Sequence, residues 1–213
     1  MKNKMPDTSN IINNRNRRIY LAGPEVFLPD AVQLGQRKKD LCSKYGFQGV
    51  FPIDAEVNVQ SHSPHEIGLL ISSMNEDLIR SCKFIIANIT PFRGLSADVG
   101  TSYEMGFARG FGLVVSAYTN IEVPFSERVV LALSQSLVRD RNGRLRDQYN
   151  MEIEEFGMVD NLMLEGGVSS SGGILVTSKV PENDLFTDLR GFEQCLQHTQ
   201  KVMNSMKEQA FVE

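Results

Sequence analysis

The stretch that decides the fold runs from Phe84-Ile85-Ile86-Ala87-Asn88-Ile89, through a short loop, to Ser96-Ala97-Asp98-Val99-Gly100-Thr101-Ser102-Tyr103-Glu104-Met105-Gly106-Phe107-Ala108. The first run is apolar and predicts a buried parallel strand, which the proline and glycine of residues 90–95 bring to an end. A helix rich in small residues is predicted to begin near Asp98. Open α/β sheets bind ligands in such strand-to-helix loops, at the carboxyl ends of their strands, so we expect the functional site here.

Strand and helix patterns alternate on both sides of this stretch. The other predicted elements are a strand at residues 18–22, a helix from 29 to about 45, a strand at 49–51, a helix from 65 to about 82 and a strand at 113–118. This β-α-β-α-β-α-β order predicts a flavodoxin-like or Rossmann-like parallel sheet of about five strands, with right-handed crossovers and helices on both faces. The helix beginning at residue 65 carries an apolar stripe of Ile67, Leu70, Ile71, Met74, Leu78 and Ile79.

The remaining segments are predicted to decorate one domain, residues 18–210. Residues 1–17 are polar and rich in asparagine, and we interpret them as a disordered leader rather than a signal peptide. Residues 120–158 interrupt the alternation and are interpreted as an insertion after strand four, with the turn dipeptide Asn142-Gly143 at its tip and a charged run that faces solvent. Residues 169–173 are predicted to be loop, and residues 184 to about 208 a final amphipathic helix.

Composition narrows the class of protein. The 213 residues are 41% hydrophobic and 23% charged, which is typical of one soluble globular domain. A net charge of −4 argues against nucleic acid or an anionic membrane as the main partner and favours a small molecule. No apolar run reaches the roughly 20 residues of a membrane span, so a cytoplasmic location is expected. Neither the cysteines (Cys42, Cys82 and Cys195) nor the histidines form a ligand pattern, so we expect buried free thiols, no metal and no cofactor.

The surroundings of Glu104 make it the candidate carboxylate for catalysis. It lies early in the predicted helix, with no basic residue within four positions on either side. Burying such a carboxylate is costly unless the site uses it. Asp98 lies six residues earlier, about 240° around an ideal helix, so it must act from the loop or first turn. The two acids therefore suit two different roles at one pocket.

Several motifs occur along the chain in a fixed order. They are Tyr20-Leu21-Ala22-Gly23-Pro24, Asn75-Glu76-Asp77-Leu78, Ala87-Asn88-Ile89-Thr90-Pro91-Phe92-Arg93-Gly94, Ala97-Asp98-Val99-Gly100 through Tyr103-Glu104-Met105-Gly106, and Asp160-Asn161-Leu162-Met163. Each is weak alone, but the ordered set resembles the nucleoside 2-deoxyribosyltransferase family over roughly residues 18–200. The resemblance implies an enzyme of base salvage that takes a deoxynucleoside and a free nucleobase and exchanges the base.

The resemblance also implies roles for individual residues. Glu104 matches the nucleophile that forms a covalent deoxyribosyl intermediate in a retaining double displacement. Tyr20 matches the residue that orients the nucleophile, and Asp77 matches the proton donor or acceptor at the base, with its neighbour Glu76 expected to face solvent. Asp98 matches a ligand of the sugar hydroxyls. Each of these three residues also has a simpler interpretation. Tyr20 could be a buried strand tyrosine, Asp77 a surface charge on a helix, and Asp98 a helix N-cap.

Other matches concern the base and the neighbouring subunit. Asn161 matches a residue that reaches the sugar in a neighbouring subunit's site, which implies a homo-oligomer (a dimer, or a tetramer or hexamer built from dimers) with shared sites. Phe27 and Phe92 are candidate stacking walls for the base, although either could be core, and Gly23 is placed with the substrate-binding residues. Two further candidates are held more loosely, Arg93 for steering the substrate and Glu56 for recognising the base.

Three alternative functions remain open at this stage. On the same scaffold, water could accept the sugar, which would make the protein a deoxynucleoside or deoxynucleotide N-glycosidase. The second alternative is a phosphoribohydrolase, but residues 99–104 match only the second half of the glycine-rich motif of those proteins. A binding module without turnover would not need Tyr20, Asp77, Asp98 and Glu104 together.

Overall fold

The computed structural model describes residues 15–54, 62–133 and 137–210; most of the predicted leader and Glu56 lie outside these ranges. Within them, five strands form one parallel sheet in the spatial order β2-β1-β3-β4-β7. These strands are β1 Arg18–Ala22, β2 Gln48–Val50, β3 Phe84–Asn88, β4 Val114–Thr119 and β7 Leu175–Thr177. The predicted fold class is confirmed.

Helices cover both faces of this sheet. They are α1 Ala31–Lys44, α2 Pro64–Arg80, α3 Val99–Gly110, α4 Phe125–Leu133, α5 Leu162–Ser170 and α6 Arg190–Ala210, with 3-10 turns at Pro24–Phe27, Pro52–Asp54 and Glu182–Asp184. Alternate strand residues face opposite layers. Leu21 packs into the core under α1 and α6, whereas Tyr20 packs into the core beneath α3 and α5. The loops after β1 and β3 consequently meet at one edge of the sheet.

Two predicted helices differ in detail from the structure. The helix α2 begins at Pro64 because Ser63 and Glu66 form a capping box, and in the predicted inward stripe Ile79 is buried. Leu70 and Ile71 are exposed, because the first half of α2 has no layer of its own chain against it in the described residues. The final helix starts at Arg190 rather than at residue 184. At this observed start, the Asp188 carboxylate accepts a hydrogen bond from the Arg190 amide at 2.9 Å.

The segment after β4 contains α4 and a small antiparallel hairpin of β5 Val138–Arg139 and β6 Leu145–Arg146. Its turn contains Gly143 at φ +80°, a conformation that glycine adopts without strain. The basic residues of the hairpin pair with acidic ones: Arg139 with Glu155 and Arg144 with Glu152. These exposed pairs suit a solvated face. None of the helices in the described ranges is long and apolar enough to cross a bilayer.

Candidate active site

The centre of the site is a hydrogen bond between β1 and α3. The Tyr20 hydroxyl donates to Glu104 Oε1 at 2.6 Å. Tyr20 is fully buried on the face of β1 that packs against α3, and Glu104 lies half-buried in the second turn of that helix. The bond therefore joins residues 84 positions apart in sequence. It holds one carboxylate oxygen in place and leaves the other without a partner among the described residues.

The electrostatics of Glu104 are unusual for a surface helix acid. Burial raises the pKa of Glu104 to about 7, the Tyr20 hydrogen bond opposes this, and the nearby Asp98 charge adds to the rise. Burial and the Glu104 carboxylate raise the pKa of Tyr20 well above its ordinary value, so the phenol stays protonated and remains a donor. Among the described residues Glu104 thus has no neutralising cation, which favours reactivity over structural pairing.

Asp98 lies at the N-terminus of α3 and serves as its cap. Its Oδ2 accepts the Thr101 amide at 2.9 Å and the Thr101 hydroxyl at 3.1 Å. The hydrogen bonds of the described residues leave Oδ1 unused, so capping is compatible with a second role in ligand binding. The partly exposed side chain belongs to a residue six positions before Glu104, or about one and two-thirds α-helical turns, which matches the expectation that the two acids act from different positions.

The structure places Asp77 differently from what its proposed role suggests. Its carboxylate is 73% exposed and pairs with Arg80 at 2.8 Å. Glu76, expected to face solvent, is only 24% exposed: it accepts the Tyr103 hydroxyl at 2.7 Å and pairs with Arg80 at 2.9 Å. The rotation of α2 about its own axis, relative to α3, decides whether Glu76 or Asp77 faces inward. The described contacts link Glu76, and not Asp77, to the helix that carries Glu104.

The Asp160–Asn161 segment packs beside the loop that precedes α3. Asp160 is buried, and its Oδ2 accepts the amide of Ala97 at 2.8 Å. Asn161 caps α5 by accepting the Met163 amide at 3.0 Å, and its side chain is exposed. Asn161, and not Asp160, is therefore the N-cap of α5. Asp160 instead fixes the position of the loop next to Asp98.

The two predicted stacking residues lie against each other. The rings of Phe27 and Phe92 are parallel within 9°, with centroids 5.4 Å apart, and Phe186 meets Phe92 edge-on at 6.0 Å. The Arg93 guanidinium lies 4.8 Å from the Phe27 centroid and 4.6 Å from that of Phe92, at a backbone φ of +54°. A planar base cannot enter between rings already in contact, but Phe27 is 54% exposed and offers its outer face. Below, these three phenylalanines are called the aromatic wall.

A buried polar cluster behind the wall was not predicted. Glu25 is fully buried and accepts from Lys38, which is also fully buried, and from Asn88 at 3.0 Å and Tyr118 at 2.9 Å. Gly23 makes room for it: at φ +152°, a Cβ there would lie 1.9 Å from Glu25 Oε2. The sequence held one signal for this cluster, since Lys38 lies four residues from both Leu34 and Cys42 on the buried side of α1.

Taken together, these groups can stabilise positive charge at one carbon, and the aromatic wall offers a face for a planar ring. The half-buried Glu104 supplies an unneutralised carboxylate, Tyr20 orients it, and Asp98 offers a free oxygen for a hydroxyl group. Such an arrangement suits attack on, or stabilisation of, an oxocarbenium-like centre. Among the described residues, no cluster of acidic, histidine and cysteine side chains has the geometry of a metal site.

Comparisons with known proteins found one matching family model and several similar chains. A family model described as nucleoside 2-deoxyribosyltransferase matches residues 19–163. A solved 2-deoxyribosyltransferase from Leishmania mexicana superposes with a TM-score of 0.55 at 26% identity, covering 85% of this chain and 98% of its own. An uncharacterised protein of Schizosaccharomyces pombe is 29% identical over 167 residues, which is 74% of this chain and 79% of that protein. A 2-deoxyribosyltransferase from Bacillus psychrosaccharolyticus aligns at 20% identity and a TM-score of 0.38, over 47% and 71% of the two chains.

Proposed function

The chain belongs to the nucleoside 2-deoxyribosyltransferase family, and from this premise we propose that it transfers the 2-deoxyribosyl group between nucleobases by a retaining double displacement on Glu104. The observation that carries the proposal is the Tyr20–Glu104 hydrogen bond of 2.6 Å. The neutral phenol orients the half-buried carboxylate without forming an ion pair with it, so the negative charge is available to the substrate. A cation in the place of Tyr20 would lower its nucleophilicity.

The proposed reaction has two steps. In the first, Glu104 attacks the anomeric carbon, the C1′–N bond breaks, and the departing base takes up a proton. In the second, a nitrogen of the incoming base attacks the same carbon, gives up a proton and frees the carboxylate. Asp98 binds a sugar hydroxyl through the oxygen not engaged in capping, and its negative charge disfavours a 5′-phosphate.

We propose Asp77 for the proton transfer at the base, as the family resemblance implies. In the described structure its carboxylate pairs with Arg80 at 2.8 Å. The role therefore requires the side chain to turn from Arg80 toward a bound base. Substrate binding supplies a reason for this turn, because a base beside the carboxylate would offer it a hydrogen-bond partner in place of Arg80.

The base is proposed to stack on the outer face of Phe27, with Arg93 at the edge of the ring and Phe92 behind it. This position uses the 54% exposed surface of Phe27 and needs no separation of the two stacked rings. Gly23 contributes indirectly, because its missing side chain lets the turn that carries Phe27 approach β3. Planar bases and aromatic faces attract through offset stacking.

The functional unit is proposed to be a homo-oligomer with shared sites. Leu69, Leu70 and Ile71 are exposed on the first half of α2, and Tyr103, on the helix of Glu104, is 57% exposed close by. An uncovered apolar surface of this kind is typical of a protein contact. A second copy on this surface would bring subunits together beside the site, where Asn161 is proposed to reach the neighbouring sugar.

An exchange assay tests the reaction. The protein is mixed with a deoxynucleoside and a different free base, and the products are followed by chromatography. We expect a new deoxynucleoside that forms only when the second base is present. Free deoxyribose as the sole sugar product, even with the second base present, would show hydrolysis and contradict the transfer. No product at all, from protein shown to be folded, would leave only binding.

Sedimentation tests the assembly with a matched pair of variants. Leu69→Glu places a charge on the exposed face of α2, and Leu131→Glu places one on α4, where the leucine is 75% exposed. We expect Leu69→Glu to shift the population toward single chains and lower exchange, and Leu131→Glu to do neither. A wild-type chain that sediments as a monomer and is fully active would overturn the shared site.

A further inference from the structure

A buried hydrogen-bonded chain connects Glu25 to the loops that carry the aromatic wall. Glu25 Oε1 accepts Asn88 Nδ2 at 3.0 Å, and Asn88 Oδ1 accepts the Thr90 amide at 3.0 Å. Thr90 Oγ1 then accepts the Asn120 amide at 3.0 Å. Asn120 Nδ2 donates to the carbonyl of Leu185 at 2.8 Å. Each of the side chains that form these links is at most 1% exposed.

The members of this chain lie next to the wall residues in sequence. Phe27 follows Glu25 by two positions, Phe92 follows Thr90 by two, and Phe186 follows Leu185 by one. The three phenylalanines come from three different loops, so their mutual stacking does not fix them relative to the sheet. The buried chain does, because Asn88 is the last residue of β3 and Thr90 bonds across to the residue after β4.

The start of the chain is itself fixed from two elements. Lys38 of α1 bonds Glu25, and its ammonium lies 5.5 Å from the Tyr118 ring and 5.4 Å from the Phe192 ring. The Tyr118 hydroxyl donates to the same Glu25 oxygen at 2.9 Å. Burial, with the Glu25 charge, raises the pKa of Tyr118, so the hydroxyl remains a donor. A buried ion pair of this kind contributes little net stability, which suggests a different reason for its presence.

We propose that Glu25 is a positioning residue for the nucleobase: through Asn88, Thr90 and Asn120 it holds the aromatic wall at a fixed distance from Glu104. The inference rests on the proposed function for the identity of the bound ring. The wall orders the incoming base for attack on the anomeric carbon, whereas water needs no such wall. Loss of the Glu25 acceptor is therefore expected to impair exchange more than hydrolysis of the deoxyribosyl intermediate.

Two double variants separate positioning from mere stability. Glu25→Gln/Lys38→Met removes both charges but keeps an oxygen acceptor for Asn88 and Tyr118. Glu25→Leu/Lys38→Met removes both charges and the acceptor as well. Replacing a buried ion pair by neutral side chains of similar volume is often tolerated. Thr90→Val is a third variant that cuts the same hydrogen-bonded chain further along and leaves the ion pair intact, should the leucine variant fail to fold.

The first readout does not depend on turnover. The protein contains no tryptophan, so Phe27→Trp introduces a single fluorophore into the wall. Fluorescence anisotropy and iodide quenching then report how firmly the wall is held. We expect greater rotational freedom with Glu25→Leu/Lys38→Met and with Thr90→Val, and the parent value with Glu25→Gln/Lys38→Met. Equal freedom in the folded leucine and glutamine variants would overturn the proposal.

The second readout is kinetic and uses the chain with phenylalanine at position 27. For Glu25→Leu/Lys38→Met we expect the KM for the incoming base to rise about tenfold, the size of a partly lost stacking contact. Hydrolysis in the absence of a second base should stay near the parent rate, and the glutamine variant should restore the KM. Equal losses of exchange and hydrolysis, with an unchanged KM, would contradict a positioning role. A wild-type chain without exchange would refute the proposed function, while the tryptophan readout would still decide whether Glu25 orders the wall.

Discussion

Two tyrosine–glutamate pairs lie on opposite faces of the sheet, and they differ in whether a cation accompanies the carboxylate. Tyr20 donates to Glu104 at 2.6 Å beneath α3, and Tyr118 donates to Glu25 at 2.9 Å beneath α6. Glu25 also bonds the buried Lys38, whereas Glu104 has no cationic partner among the described residues. The cation makes one pair a closed structural unit. Its absence leaves the other pair with an uncompensated charge at a half-open position.

This difference indicates how the same side chains serve two purposes. A buried carboxylate that meets a lysine, an amide and a phenol has a cation beside it and holds the surrounding elements together. A carboxylate that meets only a phenol is oriented without being neutralised, and burial raises its pKa to about 7. The first arrangement suits the support of a site, and the second suits chemistry within it.

The largest expected effect concerns the nucleophile. Glu104→Gln keeps an acceptor for the Tyr20 hydroxyl but removes the attacking charge, so we expect exchange to fall by at least about 10³-fold. The fold should survive, because no cationic partner is left unpaired. Initial rates from chromatography measure the loss, with Glu152→Gln as the control, since that exposed carboxylate pairs with Arg144 of the hairpin. Exchange within tenfold of the parent rate would show that Glu104 is not the nucleophile. The proposed difference in role between the two tyrosine–glutamate pairs would then fail as well.

The second prediction concerns Lys38, the cation that accompanies the Tyr118–Glu25 pair. Lys38→Met leaves the Glu25 carboxylate buried without its countercharge, and we expect the free energy of unfolding to fall by about 3–5 kcal/mol. The double variant Glu25→Gln/Lys38→Met should recover most of that loss. Denaturant unfolding followed by circular dichroism measures both, with Lys44→Met, on the same helix but exposed, as the control. A Lys38→Met protein as stable as the parent would mean that the two pairs do not differ in the way described.

The sequence predicted the first pair and missed the second for a physical reason. Glu104 is conspicuous because a carboxylate without basic neighbours lies in a helix after a buried strand, and an ordered set of motifs surrounds it. Glu25 and Lys38 are 13 residues apart in different elements, and no local pattern brings them together. Only the tertiary packing of α1 on the sheet makes them partners, although the placement of Lys38 on the apolar side of α1 was a visible hint.

The choice between Glu76 and Asp77 illustrates a second limit. Hydrophobic periodicity predicted the helix α2 correctly, but periodicity fixes the inward face only when the whole helix is covered. The first half of α2 is uncovered by its own chain in the described ranges, so its apolar residues did not reveal how the helix is turned. The fold class, which depends on element order, was predictable. The orientation of an acid on a partly covered helix was not.

The third prediction sharpens the role of the phenol. Tyr20→Phe removes the one hydrogen bond that lowers the Glu104 pKa, so that pKa should rise above about 7. Because only the ionised form attacks, exchange falls as the pH drops below the pKa, and this acid limb should move upward by about one pH unit. The pH dependence of kcat measures the shift, and Tyr103→Phe on the same helix serves as the control. An unmoved limb would show that the 2.6 Å bond does not tune the nucleophile.

The fourth and smallest effect runs in the opposite direction. The charge of Asp98 contributes to the raised pKa of Glu104, and Asp98→Asn removes that charge while keeping a side chain that caps helices well. The acid limb should therefore move to lower pH, by less than about one unit, because a screened neighbouring charge acts more weakly than burial or a short hydrogen bond. Carbon-13 NMR titration of the Glu104 carboxyl group separates this shift from any loss of sugar binding. The acid limb should move in opposite directions in Tyr20→Phe and in Asp98→Asn. That result would show that the Glu104 pKa is lowered by a neutral hydrogen-bond donor and raised by a neighbouring negative charge. Displacements in the same direction would mean that the environment of Glu104 contains a charged group that the described pair does not include.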